Sequence, residues 1–283
     1  MRFFFSKPKT APKHTEAIGN TQPAMYGLVH TLSETGPTRQ HNEDHISACY
    51  LNTKKNRLLC TVADGMGGHK AGEVASELAC SAILNYVKHH SGAVSDEILR
   101  QALEHAHQQI LENGAAHAER KGMGTTATTV FIHEDRLSFA HIGDSRLYHY
   151  TQGNLTPLSK DHTLVQDMYE KGEITSEEKD RHAMRNVLTQ ALGTTRIIQP
   201  QHASCSIALS DKFLLCSDGL YDALRKEELK ELMGMNHPAF ILECMKTIAT
   251  ARNASDNFSA ILISFSDDFI PPAPITKEQT IPS

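Results

Sequence analysis

Five acidic sites in this sequence sit where a strand pattern stops or starts. Asp64 closes the apolar run "RLLCTVA", Asp144 closes "RLSFAHIG" and Asp218 closes "KFLLCS". Asp256 stands just before "FSAILISF", and Glu43 and Asp44 stand just before "HISACY". Neighbouring strands of an antiparallel sheet place the end of one beside the start of the next, so all five sites can meet at one edge. Parallel strands would send starts and ends to opposite edges. Converging carboxylates repel, and their pKa values rise until some take up protons. A hard divalent cation removes that conflict, and all-oxygen ligation favours Mg²⁺, Mn²⁺ or Ca²⁺ over zinc. Gly65 lets the backbone approach closely, so its carbonyl is a further candidate ligand. Any one of these aspartates, taken alone, reads equally as a turn or helix cap.

The stretch "DGMGGHKAGEVAS" also poses a phosphate-cradle question. A nucleotide loop needs G-x-x-x-x-G-K-S/T, and a dinucleotide turn needs G-x-G-x-x-G. Starting from Gly65, both require glycine where Lys70 stands, so neither pattern fits. Arg39, four residues before Glu43 in "TRQHNED", offers a bidentate fork for phosphate instead. No phosphocysteine-type motif or G-x-S-x-G elbow is present, which leaves a metal-activated water as the nucleophile.

Positioning these residues requires sheets. Residues 25–33, 44–51 and 56–64 read as strands, followed by a helical face of Val74, Ala75, Leu78, Ala79, Ala82, Ile83, Tyr86 and Val87. Ser95 is placed to cap a second helix with Ile98, Leu99, Ala102, Leu103, Ala106, Ile110 and Leu111 on one face. Strands return in "TTATTVFI", "RLSFAHIG", "SRLYHY" and "LTPLS". Residues 161–186 break the β pattern, with a capping box from Thr175 to Glu178. Two more strands, helices over 226–234 and 238–251, and a last strand at 258–265 complete the order. Strict β-α-β alternation is missing, which predicts an α+β fold on antiparallel sheets.

Composition narrows the class. The 283 residues carry a formal charge of −5 and no basic stripe, which argues against a nucleic-acid partner. No segment approaches a membrane span, and the six cysteines form no C-x-x-C pair and sit mostly in apolar runs. A cytoplasmic, reducing location with free thiols follows as the expectation, with a monomer as the default. Residues 1–23 and 268–283 read as a disordered leader and tail.

The ordered series "TRQHNED", "VADGMGGHKAGEVAS", "GMGTTATTV", "AHIGDSRLYHY", "LTPLSKDHTLV", "NVLTQALG", "LLCSDGLYD" and "SDNFSAILI" resembles the metal-dependent protein phosphatases, the protein phosphatase 2C family, in its bacterial form. The resemblance implies a four-layer α-β-β-α sandwich over residues 24–267, two antiparallel sheets flanked by helix pairs, with a flap at 159–191. It implies hydrolysis of phosphoserine and phosphothreonine in proteins, with two Mn²⁺ or Mg²⁺ ions and no phosphoenzyme. By position, Asp64 matches the ligand bridging both ions. Asp218 and Asp256 match ligands of one, Glu43 and the Gly65 carbonyl match ligands of the other, and Asp44 acts through a water. Asp144, with Asp218, matches a third, weaker site, and Arg39 matches the phosphate-binding arginine. Many eukaryotic members carry histidine two residues after the bridging aspartate, as a proposed general acid, where bacterial members commonly carry methionine. Here Met66 stands there and His69 is at a different offset, which leaves the proton donor open. The implied partners are phosphoproteins and a cognate serine/threonine kinase. The alternatives are a phosphatase fold kept as a binding module, or a phosphatase of a dedicated partner-switching regulator.

Overall fold

The computed structural model describes residues 26–52, 56–67, 71–90, 93–194 and 197–266. The expected leader (1–23) and tail (268–283), like His69 and Lys70, lie outside the described residues.

Eleven strands form among the described residues: β1 (Tyr26–Glu34), β2 (Asp44–Tyr50), β3 (Arg57–Met66), β4 (Gly124–Thr125), β5 (Ala127–His133), β6 (Arg136–Ile142), β7 (Arg146–Thr151), β8 (Asn154–Pro157), β9 (Gln201–Ser206), β10 (Lys212–Cys216) and β11 (Phe258–Ser266). They build two antiparallel sheets. One has the order β1-β11-β10-β7-β8; the other runs β2-β3-β5-β6-β9, with β4 pairing the end of β3. The helices are α1 (Ala71–His89), α2 (Asp96–Ala116), α3 (Leu164–Glu170), α4 (Ser176–Arg181), α5 (Asp218–Ala223), α6 (Lys226–Met233) and α7 (Pro238–Ala251).

Three apolar layers hold four structural layers together. Side chains alternate across a strand, so a strand buried on both faces reads as one unbroken apolar run. In β3, Leu58, Cys60 and Val62 enter the layer between the sheets, where they join Val130, Phe213, Leu215, Ile261 and Ile263. Leu59 and Ala63 face the other way, toward Ala75, Ala79 and Ile83 of α1 and Leu99 and Leu103 of α2. On the opposite sheet, Leu214, Cys216 and Leu262 meet Leu229 and Met233 of α6 and Ile241 and Met245 of α7. The result is the antiparallel α+β fold read from the element order, in the α-β-β-α sandwich that the resemblance implies.

Local signals mark most boundaries. The Ser95 hydroxyl accepts the Ile98 N–H at 3.3 Å and starts α2. Thr175 and Glu178 cap each other's backbone at the start of α4. Two details depart from the sequence reading. β3 continues two residues beyond Asp64, because Gly65 and Met66 pair with Thr125 and Gly124. Helices α3 and α5, with seven and six residues, are too short to show an apolar period and were not expected. Of the cysteines, Cys60, Cys80 and Cys216 are buried, while Cys49, Cys205 and Cys244 are half-buried; all are free thiols.

Phe213 tests the inter-sheet layer. It is fully buried, stacks on His149 at 4.5 Å and meets Phe265 edge-on at 6.0 Å. Phe213→Ala is expected to cost about 3–5 kcal/mol in chemical denaturation. A loss below about 1 kcal/mol would place the core elsewhere.

Candidate active site at the joined sheet edges

The strand register brings the predicted carboxylates together. Asp44 lies directly across from Asp64 in the β2–β3 pair. Asp218 and Asp256 extend the same end of the β10–β11 pair, where the Ser217 N–H donates to the Ser259 carbonyl at 3.1 Å. Asp144 sits in the turn where the chain crosses from β6 in one sheet to β7 in the other. The Asp64 carboxyl thus lies in the field of Asp44, Asp218, Asp144 and Asp256. The edge is shared by both sheets.

Neutral side chains hold the acidic ones in place. The Ser217 hydroxyl accepts the Ser259 N–H at 2.9 Å and donates to Asp44 Oδ2 at 2.7 Å, linking the sheets. Buried Asn257 accepts the Glu43 N–H (2.8 Å) and donates to the carbonyls of Thr35 (2.8 Å) and His41 (2.9 Å), which fixes the loop carrying Arg39 and Glu43. Thr126 Oγ1 accepts the Asp64 N–H at 3.0 Å, and Thr125 Oγ1 donates to the Asp64 carbonyl at 2.9 Å. The Glu43 carbonyl accepts both the Ser76 hydroxyl (2.6 Å) and the Gly65 N–H (3.1 Å). Gly65 and Gly72 make this possible. A Cβ on Gly65 would stand 2.1 Å from the Gly72 carbonyl, and one on Gly72 would stand 2.7 Å from Glu43 Oε2.

The 159–191 segment packs beside this edge. Arg146 binds Asp161 at 2.7 Å and lies over the Tyr221 ring at 3.6 Å; the Tyr221 hydroxyl donates to the Asp144 carbonyl at 3.1 Å. Arg185 reaches Asp222 in α5 at 2.7 Å.

Burial and mutual repulsion dominate the electrostatics. Burial first, then neighbouring carboxylates, push Asp44 up to about 7, Asp218 to about 6 and Asp144 to about 8, and hold Asp64 well above the usual range. Burial also raises Glu43, opposed by Arg39. Among the described residues no three His, Cys, Asp or Glu side chains are turned onto a single ion-sized point. The carboxylates are held by neighbours instead: Ser217 holds Asp44, and Arg39 binds Asp256 at 2.6 Å. The residues nonetheless fit a hard cation. Asp44 Oδ1 and Asp218 Oδ1 are buried with no hydrogen-bond partner, and such oxygens are costly unless a charge meets them. Every candidate donor is oxygen.

Sequence reasoning placed Arg39, Glu43, Asp44, Asp64, Gly65, Asp144, Asp218 and Asp256 at this edge, and all are there. It missed Ser217, Asn257, Ser76, Gly72, Thr125 and Thr126, which touch the acidic residues rather than belong to them. Their only signal was adjacency, as in "CSDG" and "SDNF".

Solved structures that share this sandwich include bacterial serine/threonine phosphatases. The structure of the Mycobacterium tuberculosis serine/threonine phosphatase PstP/Ppp matches with a TM-score of 0.77 and 32% identity, covering 84% of this chain and 98% of that one. The catalytic domain of PstP in complex with two manganese ions matches with a TM-score of 0.75 and 30% identity, over 85% and 99% of the chains. Protein phosphatase PhpP of Streptococcus pneumoniae is 32% identical over 241 residues, 84% of this chain and 97% of that protein. Residues 37–262 match the model of the family described as Protein phosphatase 2C. The chain belongs to that family and is a serine/threonine protein phosphatase.

The raised carboxyls set a pH dependence. Asp44, Asp144 and Asp218 have folded-state values above their unfolded value of 3.8, so the folded chain holds more protons between there and about 8. Stability therefore falls as pH rises through that window. In chelator, the melting temperature is expected to drop from about pH 5 to about pH 8, with Mn²⁺ restoring most of the loss at the upper end. A flat or rising profile in chelator would contradict the crowding.

Proposed function

We propose that this phosphatase hydrolyses phosphoserine and phosphothreonine in proteins at the joined sheet edges, reversing a serine/threonine kinase. The observation that carries the site assignment is the meeting of Asp44, Asp64, Asp144, Asp218 and Asp256 at one edge, beside Arg39. The manganese bound to PstP's catalytic domain supports the choice of cation.

Glu43, Asp64, Asp218, Asp256 and the Gly65 carbonyl would hold two Mn²⁺ or Mg²⁺ ions, with Asp44 acting through a water and Asp144 with Asp218 serving a weaker third. When bound, such a pair supplies an acidified water as nucleophile and positive charge for the phosphoryl oxygens. The chain's own residues do the rest. Arg39 presents a guanidinium fork to the phosphate. Asn257 and Ser217 hold the acidic residues in register. Met66 carries no exchangeable proton, so the leaving alkoxide is not protonated from that position. Residues 159–191 form the flap that meets the polypeptide around the phosphorylated side chain.

The proposal extends to a cytoplasmic monomer. Free cysteines support a reducing compartment, and no helix among the described residues is long and apolar enough to cross a membrane.

A phosphothreonine peptide assayed with Mn²⁺ should release phosphate, and EDTA should stop it. Asp64→Ala and Asp218→Ala are each expected to lower turnover by about 10²–10³-fold or more. Removing one of several crowded carboxyls should also leave the melting temperature in EDTA unchanged or higher. Wild-type chain inert toward several phosphopeptides with Mn²⁺ or Mg²⁺ would defeat the assignment.

A further inference from the structure

Arg39 and Asp256 are each other's partners in this structure, yet the proposed function gives each a second one. Arg39 Nη2 donates to Asp256 Oδ2 at 2.6 Å, and Nε donates to the Ser255 carbonyl at 3.2 Å. The pair is open to solvent, with the two side chains 50% and 36% exposed. The frame around it is anchored independently. The Asn257 N–H holds the other oxygen, Asp256 Oδ1, at 2.8 Å, and Thr38 Oγ1 donates to the Ala254 carbonyl at 3.0 Å. One carboxylate oxygen is thus committed to the backbone, while the other is shared with a side chain that can swing away without moving either loop.

A guanidinium keeps its charge at any working pH. It competes with a divalent cation for Asp256 Oδ2, because the two positive groups repel at contact distance. A cation that takes Asp256 Oδ2 loosens Arg39, and a phosphate that draws Arg39 away frees Asp256 Oδ2. We propose that the Arg39–Asp256 ion pair is an exchange latch that couples cation binding to phosphate binding, an inference that rests on the function proposed above. Coupling of this kind is reciprocal: each ligand strengthens the other by the free energy of the pair already broken. The latch keeps Arg39 from presenting itself fully to phosphate before the cation is in place.

The test is calorimetric titration of Mn²⁺ into the chelator-stripped full chain, with and without saturating inorganic phosphate. Arg39→Gln is expected to bind Mn²⁺ about two- to five-fold more tightly than wild type without phosphate, the scale of an exposed ion pair. Phosphate should then raise Mn²⁺ affinity by a smaller factor in Arg39→Gln than in wild type. Arg185→Gln is the charge control. Arg185 pairs with Asp222 at 2.7 Å and lies in the field of Asp218, but touches no candidate ligand. It should bind Mn²⁺ as wild type does. Equal tightening in both variants would mean a general field effect and overturn the latch, as would unchanged affinity or undiminished phosphate coupling in Arg39→Gln. Those failures are distinct from failure of the site itself, which would appear as wild-type chain that neither binds Mn²⁺ nor hydrolyses a phosphopeptide, and would remove the latch with it.

Discussion

The structure turns on the crowding of carboxylates where two sheets share an edge. Asp44 and Asp64 come from one sheet, Asp218 and Asp256 from the other, and Asp144 from the turn between them. Burial and repulsion raise Asp44, Asp64, Asp144 and Asp218 together, so the edge concentrates like charge at a cost. Much of the surrounding structure counters that tension. Hydroxyls, an amide side chain and close glycine contacts fix the carboxylates through directional bonds rather than through attraction between them.

The sandwich supplies the stiffness this requires. Three apolar layers clamp both sheets from both faces, so strand ends are held in register without help from the acidic residues themselves. The inter-sheet bond from Ser217 to Asp44 then ties two independently rigid sheets at the point where charges meet. Helix α5 begins at Asp218 and continues to Asp222, which receives Arg185 from the 159–191 segment. That segment therefore contacts α5 only one helical turn from Asp218.

Much of the fold was legible because its signals are local and periodic. The α1 and α2 faces, the Ser95 cap, the Thr175–Glu178 box and the continuous apolar strands all write themselves into neighbouring residues. Helices α3 and α5 did not, since one or two turns carry no readable period. The candidate site residues were legible for a different reason: carboxylates at strand termini have few structural uses in such number. Their supports were not legible. Asn257 acts on Thr35, His41 and Glu43 across more than two hundred residues of chain, and nothing near it in sequence announces those partners.

The sequence by itself determined the antiparallel α+β class and the acidic residues that must meet, because residue type and strand polarity constrain both. It also determined that "DGMGG" is not a nucleotide cradle, since glycine is missing where Lys70 stands. Only the tertiary structure decided how those carboxylates are oriented. The sheets had to be stacked before Ser217 could reach Asp44, and the loop after β1 had to fold back before Arg39 could close on Asp256. Hydrogen bonds and ion pairs depend on distances of a few ångström between segments far apart in the chain, and those distances exist only once the apolar layers have packed.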